Sequence, residues 1–172
     1  MDSVRINLFV LNKLLNGDEI IMLKEGDTAP EFAVKDAEGN EVKLTDFRGQ
    51  KVVLYFYPKD DTPGCTKQAC SLRDRVAEFE RRGIKVLGAS LDDEKSHQKF
   101  AAKYELPFTL LSDPEHTLAD AYGVYGEKSF MGRKYMGVAR KTFLIDEAGV
   151  IKGVLDKPEV EAHADEVLAA FA

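Results

Sequence analysis

Six consecutive apolar residues, Val52-Val53-Leu54-Tyr55-Phe56-Tyr57, halted by Pro58, constrain this chain more than any other stretch. Such a run reads as a buried strand. Beyond it lies a helix start, with Thr62 as N-cap and Pro63 at the first helical position, where a missing N–H costs nothing. Cys65 then falls in the first helical turn, among backbone N–H groups that have no intrahelical partner. Those donors and the positive end of the helix dipole favour a thiolate over a thiol, so Cys65 is a candidate nucleophile. Gly64, lacking a side chain, is expected to leave room for a small molecule to approach the sulfur.

The second cysteine, Cys70, is five positions further on. An intact α-helix turns about 140° and rises ~7.5 Å over that interval, which sets the two Cα atoms roughly 8.5 Å apart. A disulfide needs them within ~7 Å. The pair suits a cycle in which Cys65 reacts first, the helix start unwinds, and Cys70 then reaches it.

The rest of the chain alternates strands and helices. Ala33–Lys35 and Val42–Leu44 flank the turn-rich Asp36-Ala37-Glu38-Gly39-Asn40 and predict a hairpin. One helix is expected from Thr62 to near Gly83, a strand over Ile84–Leu91 and a helix over Asp92–Tyr104. A short strand over Phe108–Leu111 and a helix over Asp113–Tyr122 follow. Residues 123–140, punctuated by four glycines, read as a loop carrying aromatics, with Tyr125 and Phe130 as core or pocket-wall residues. A hairpin from Thr142 to Val154 and a closing helix with Val160, Ala164, Val167, Leu168 and Phe171 on one face complete the chain. The order implies one α/β domain over residues 23–172, with a mixed central sheet flanked by helices. Residues 1–22 read as an N-terminal extension, either an added helix or residues upstream of a start at Met22.

Composition narrows the function classes. The 172 residues are 44% hydrophobic and 31% charged, ordinary for a globular domain. A net charge of −6 supplies no electrostatic attraction to nucleic acid or an anionic membrane, and neither is expected as partner. Two cysteines do not make a secreted disulfide framework, and no apolar run approaches the ~20 residues of a membrane span, so the cytoplasm is the expected location. No third or fourth ligand stands at metal-like spacing, and no phosphate-binding loop or dinucleotide fingerprint is present, so no metal or cofactor is expected. His97, His116 and His163 are read as solvated residues on helices, and Asp60 and Asp61 are expected to face solvent.

Pro58-x-x-x-Thr62-x-x-Cys65 resembles the peroxiredoxin active-site motif. The fuller string Tyr55-Phe56-Tyr57-Pro58…Thr62-Pro63-Gly64-Cys65-Thr66…Cys70 is similar to the bacterioferritin comigratory protein group, the Q-type peroxiredoxins. The similarity runs on through Leu110-Leu111-Ser112-Asp113, Gly123–Lys128 and Arg140–Asp146. The resemblance implies a thioredoxin-like fold and a thiol peroxidase that reduces hydrogen peroxide and organic hydroperoxides. In that reading Cys65 is the peroxidatic cysteine and Cys70 the resolving one, joined as an intramolecular disulfide that thioredoxin or a related dithiol reduces. The resemblance also assigns Thr62 to bind thiolate and peroxide, Pro58 to shield the pocket, and Arg140 as the active-site arginine. It implies a monomer.

Elementary chemistry agrees with those roles. Displacement at a peroxide oxygen needs a thiolate, and a guanidinium is charged in any environment, so it also stabilises charge on the leaving oxygen. Two other functions stay open at this level. A thioredoxin-like disulfide reductase would usually carry Cys-x-x-Cys, and a non-enzymatic thioredoxin-fold binding protein would have a Cys65 of ordinary reactivity.

Overall fold

The computed structural model describes residues 22–172, and the expectations for residues 1–21 lie outside them. The apolar run forms β3 (Lys51–Phe56), an interior strand of a seven-stranded sheet. The other strands are β1 (Ala33–Asp36), β2 (Glu41–Lys43), β4 (Ile84–Ser90), β5 (Thr109–Ser112), β8 (Lys141–Ile145) and β9 (Ile151–Asp156). Their order is β2-β1-β5-β4-β3-β8-β9, with β3, β4 and β5 parallel and every other neighbouring pair antiparallel. This is the expected mixed sheet of a thioredoxin-like α/β fold, with the N-terminal hairpin β1–β2 forming one edge of it through the β1–β5 pairing.

Because strand side chains alternate, β3 feeds two separate cores. Val53, Tyr55 and Tyr57 pack on one side with Cys65, Ala69, Leu72 and Phe79, together with Val167 and Leu168 of the closing helix. Val52, Leu54 and Phe56 pack on the other with Leu118, Ala119, Tyr122 and Phe143. A strand covered on both faces can be apolar throughout, which is why the run lacks alternation. Both helices α1 (Pro63–Asp74) and α5 (His163–Ala170) lie on the Tyr55 side.

Three expected elements come out differently. The helix from Thr62 to Gly83 is two: α1, then α2 (Val76–Arg81), with Arg75 between them at φ −115°, ψ 12°. Leu72 and Phe79 on either side of this break both reach the core at 0% exposure. After α3 (Glu94–Tyr104), the stretch 113–122 is helical only in α4 (Thr117–Ala121). Asp113 instead turns its carboxylate onto the Leu118 and Ala119 N–H groups, at 3.0 and 2.8 Å. Residues 123–140 are not a loop but a hairpin, β6 (Tyr125–Phe130) and β7 (Arg133–Val138). Its two-residue turn, Met131-Gly132, has φ of 49° and 78°, the positive pair that matches strand twist. Phe130 is no pocket wall: it stands 68% exposed near the hairpin tip, with Met131, Tyr135 and Met136 also exposed.

Candidate active site

The backbone of α1 begins where expected, with Thr62 extended at φ −90°, ψ 156° and Pro63 opening the helix. The Thr62 hydroxyl, however, does not cap it. It donates to the Lys59 carbonyl oxygen at 2.8 Å, which closes the turn after Pro58 and leaves the first-turn N–H groups without a side-chain acceptor. Cys65 sits in that turn, 2% exposed, and Pro58, at the end of the apolar run, is half-buried. Cys70 is also a free thiol, half-buried on the same helix.

Sheet register brings Arg140 to the sulfur. Phe56 at the end of β3 pairs with Lys141 at the start of β8, so the residue before Lys141 arrives beside the Tyr57-Pro58 corner. Arg140 Nη2 donates to Cys65 Sγ at 3.3 Å. Its Nη1 donates to Gln68 Oε1. Gly64 bears on Arg140 as well. A Cβ built there would lie 3.2 Å from Arg140 Nη2, so the missing side chain makes room for the guanidinium itself.

Two buried networks that sequence reasoning missed surround this centre. In the first, Gln68 Nε2 meets His163 Nδ1 at 3.2 Å, and His163 Nε2 meets Thr142 Oγ1 at 2.9 Å. Gln68, Thr142 and His163 are each 0% exposed, so His163 is not the solvated residue expected. Gln68 could have been suspected, since side chains at i and i+3 of a helix share a face with Cys65. Nothing in the sequence pointed to His163.

The second network corrects Asp60 and His97. Asp60 is buried, because its carboxylate accepts from Tyr57 Oη at 2.6 Å and Ser96 Oγ at 2.8 Å and meets His97 Nδ1 at 2.7 Å. His97 is 0% exposed and its Nε2 meets the Leu111 carbonyl at 2.9 Å. Only Asp61 faces solvent, at φ 56°, where Lys103 Nζ (2.9 Å) and Tyr104 Oη (2.8 Å) hold it. Hydrogen bonds from Lys103 and then Tyr104 keep its carboxyl below the usual range. His116 is half-buried, pairs with Asp120 at 2.7 Å and stacks on Tyr125. Among the described residues, Asp60, Asp92 and His97 stand at metal-like spacing, with both Asp60 carboxylate oxygens, both His97 ring nitrogens and Asp92 Oδ2 already taking part in hydrogen bonds.

The two buried histidines titrate in opposite directions. Burial, and then the Arg140 charge, push His163 down to about 4. An unfolded chain takes up that proton near the ordinary 6.5, while the folded chain stays neutral until about 4. Stability from this group is therefore complete above the ordinary value and falls as pH drops towards 4, by about 3 kcal/mol across the window. Urea unfolding of reduced protein at pH 7 and pH 4.5 should show this loss, and His163→Asn should show a smaller one. For His97, burial pulls down but the Asp60 carboxylate outweighs it and the net shift is upward. Its contribution runs the other way: present at low pH and lost as pH rises through the folded-state value.

A half-buried guanidinium on a buried thiol, at a helix start on a thioredoxin-like frame, defines a thiol-based redox centre of the peroxidase class. Residues 25–154 match the AhpC/TSA family, and the chain belongs to it. It is 51% identical over 146 residues to peroxiredoxin Bcp of Escherichia coli K12, covering 85% of this chain and 94% of that protein. It is 45% identical over 143 residues to peroxiredoxin Bcp of Bacillus subtilis, covering 83% and 91%. Among solved structures, a cysteine-to-serine variant of PrxQ from Xylella fastidiosa superposes with a TM-score of 0.83 at 34% identity, covering 88% of this chain and 96% of that one. This chain is accordingly a peroxiredoxin, an oxidoreductase that reduces peroxides at the expense of thiols. Among the described residues, no helix is long and apolar enough to cross a membrane.

Proposed function

We propose that Cys65 is the peroxidatic cysteine and Cys70 its resolving partner, in a cycle that ends as a Cys65–Cys70 disulfide. The Arg140 Nη2 to Cys65 Sγ contact at 3.3 Å carries this reading. The Cys65 thiolate attacks one oxygen of a hydroperoxide: an S–O bond forms, the O–O bond breaks, and the other oxygen leaves as alkoxide or hydroxide and takes a proton. Arg140 stabilises the thiolate and then the charge on the departing oxygen. Thr62, whose hydroxyl proton goes to the Lys59 carbonyl, accepts a hydrogen bond from the peroxide O–H, Gly64 lets the guanidinium approach, and Pro58 limits water at the sulfur. Cys65 is left as a sulfenic acid, which the Cys70 thiol displaces with loss of water. A dithiol such as thioredoxin returns two electrons by thiol–disulfide exchange.

Hydrogen peroxide and organic hydroperoxides are the proposed substrates. A Xanthomonas campestris bacterioferritin comigratory protein, 38% identical and with a TM-score of 0.76, is described by its alkyl peroxide reduction activity, which supports the organic class. We read residues 23–172 as one catalytic domain, monomeric and cytoplasmic, where a reducing thiol pool can regenerate the cycle.

The test is intact mass of reduced protein, taken seconds after one equivalent of hydrogen peroxide at neutral pH. A loss of about 2 Da is expected, for rapid disulfide formation. A stable gain of about 16 Da would keep Cys65 as nucleophile but remove Cys70 as its partner. No change within minutes would defeat the peroxidase cycle.

A further inference from the structure

We infer that His163, the first residue of α5, is a positioning residue for the reaction at Cys65, acting through Gln68 to hold Arg140 on the sulfur. This rests on the reading of Cys65 as the attacking thiol. The polarity of the chain Arg140–Gln68–His163–Thr142 follows from its one fixed end. A guanidinium only donates, so Gln68 must turn its amide oxygen towards Arg140 Nη1 and its amide N–H towards His163. His163 Nδ1 must then be a bare acceptor, at 3.2 Å, which places the ring proton on Nε2, donating to Thr142 Oγ1 at 2.9 Å. Every bond in the chain has a single allowed direction, and each link orients the next.

The neutrality of this support matters as much as its geometry. Among the described residues, Arg140 makes no salt bridge; Gln68 and Cys65 are its side-chain partners. A carboxylate in the Gln68 position would also hold the arginine, but would draw its charge away from the sulfur. A neutral amide held by a neutral imidazole fixes the guanidinium and leaves its full positive charge for thiolate and leaving oxygen. Burial and Arg140 itself keep His163 uncharged at neutral pH.

α5 and the turn before it are fastened to α1 and to Arg75 just after it, so the imidazole has a fixed platform. The Ala164 N–H donates to Ser71 Oγ at 3.1 Å, Lys67 pairs with Glu161 at 2.8 Å, and Arg75 pairs with Asp165. Gln68 lies between the two cysteines. Unwinding the helix for disulfide formation therefore takes the relay apart, and the arrangement belongs to the reduced enzyme.

Stopped-flow or rapid-quench mass measurement at neutral pH separates sulfenic acid formation from the disulfide step. His163→Phe keeps ring bulk but removes the acceptor; the first step should slow roughly 10–100-fold, the scale of a reacting group displaced by about 1 Å. The second step should keep its rate. His163→Asn, whose amide oxygen can stand in for Nδ1, should recover most of the loss. Gln68→Leu should slow the first step alike, and adding His163→Phe to it should cost nothing more. If the two effects multiply, if His163→Asn is as slow as His163→Phe, or if both steps slow together, His163 is only a packing residue and the inference fails. A wild-type protein inert to peroxide would instead defeat the underlying peroxidase reading.

Discussion

Cys65→Ser should leave no measurable peroxide consumption, whether the reductant is thioredoxin or dithiothreitol. Serine keeps the size of the side chain, but its hydroxyl is not ionised at neutral pH, and only an anionic sulfur displaces a peroxide oxygen at useful rates. The loss should be on the order of 10³–10⁶-fold, the scale of removing a nucleophile. The fold should survive, since Cys65 contributes a small buried side chain to the Tyr55 face of the core and its guanidinium neighbour is also held by Gln68. Turnover by this variant at wild-type rates would overturn the assignment of Cys65. Retained thermal stability together with lost turnover would separate chemistry from folding.

Cys70→Ser should give one fast turnover and then stall. The first step uses Cys65, Arg140 with its Gln68–His163 support, and the helix start, none of which the change removes. Without a second thiol the sulfenic acid has no internal partner, so the intact mass should rise by about 16 Da, and by about 32 Da as excess peroxide carries it to sulfinic acid. Steady-state activity with thioredoxin should fall on the order of 10²-fold or more, while the rate of the first step changes little. A mass that instead falls by about 2 Da would require a different resolving thiol, which a chain with only two cysteines cannot supply from within. Normal cycling in this variant would show that the external dithiol attacks the sulfenic acid directly.

Both variants probe a reactive centre that was largely legible in the sequence, because its parts are local. The run Val52–Tyr57, the stop at Pro58 and the Thr62-Pro63 helix start are neighbours in the chain, and backbone sterics and the unpaired first-turn N–H groups act over that distance. They led to the strand, the helix and the exposed end of the helix dipole at Cys65 without reference to anything distant. Arg140 was reached only through family resemblance, because no local rule connects positions 65 and 140.

The misreadings have a common physical origin. In the sequence, residues 123–140 read as a loop because glycines interrupt any alternation of apolar and polar residues there. The pairing of β6 with β7 comes from a positive-φ turn and cross-strand hydrogen bonds, not from burial. Asp60 and Asp61 are adjacent and chemically identical, yet one is buried and the other exposed. What distinguishes them is the arrival of Tyr57, Ser96 and His97 around one carboxylate and of Lys103 and Tyr104 around the other.

By itself, then, the sequence determined where a buried strand ends, where a helix begins and which thiol meets the helix dipole, since these depend on residues a few positions apart. The tertiary structure alone decided which charge faces that thiol and what holds the charge in place. Antiparallel register between β3 and β8 delivers Arg140, and the docking of α5 on α1 delivers His163 behind Gln68. Desolvation then turns a histidine that would titrate near neutrality in water into a neutral one. Burial and long-range register are properties of the packed chain, and no local pattern encodes them.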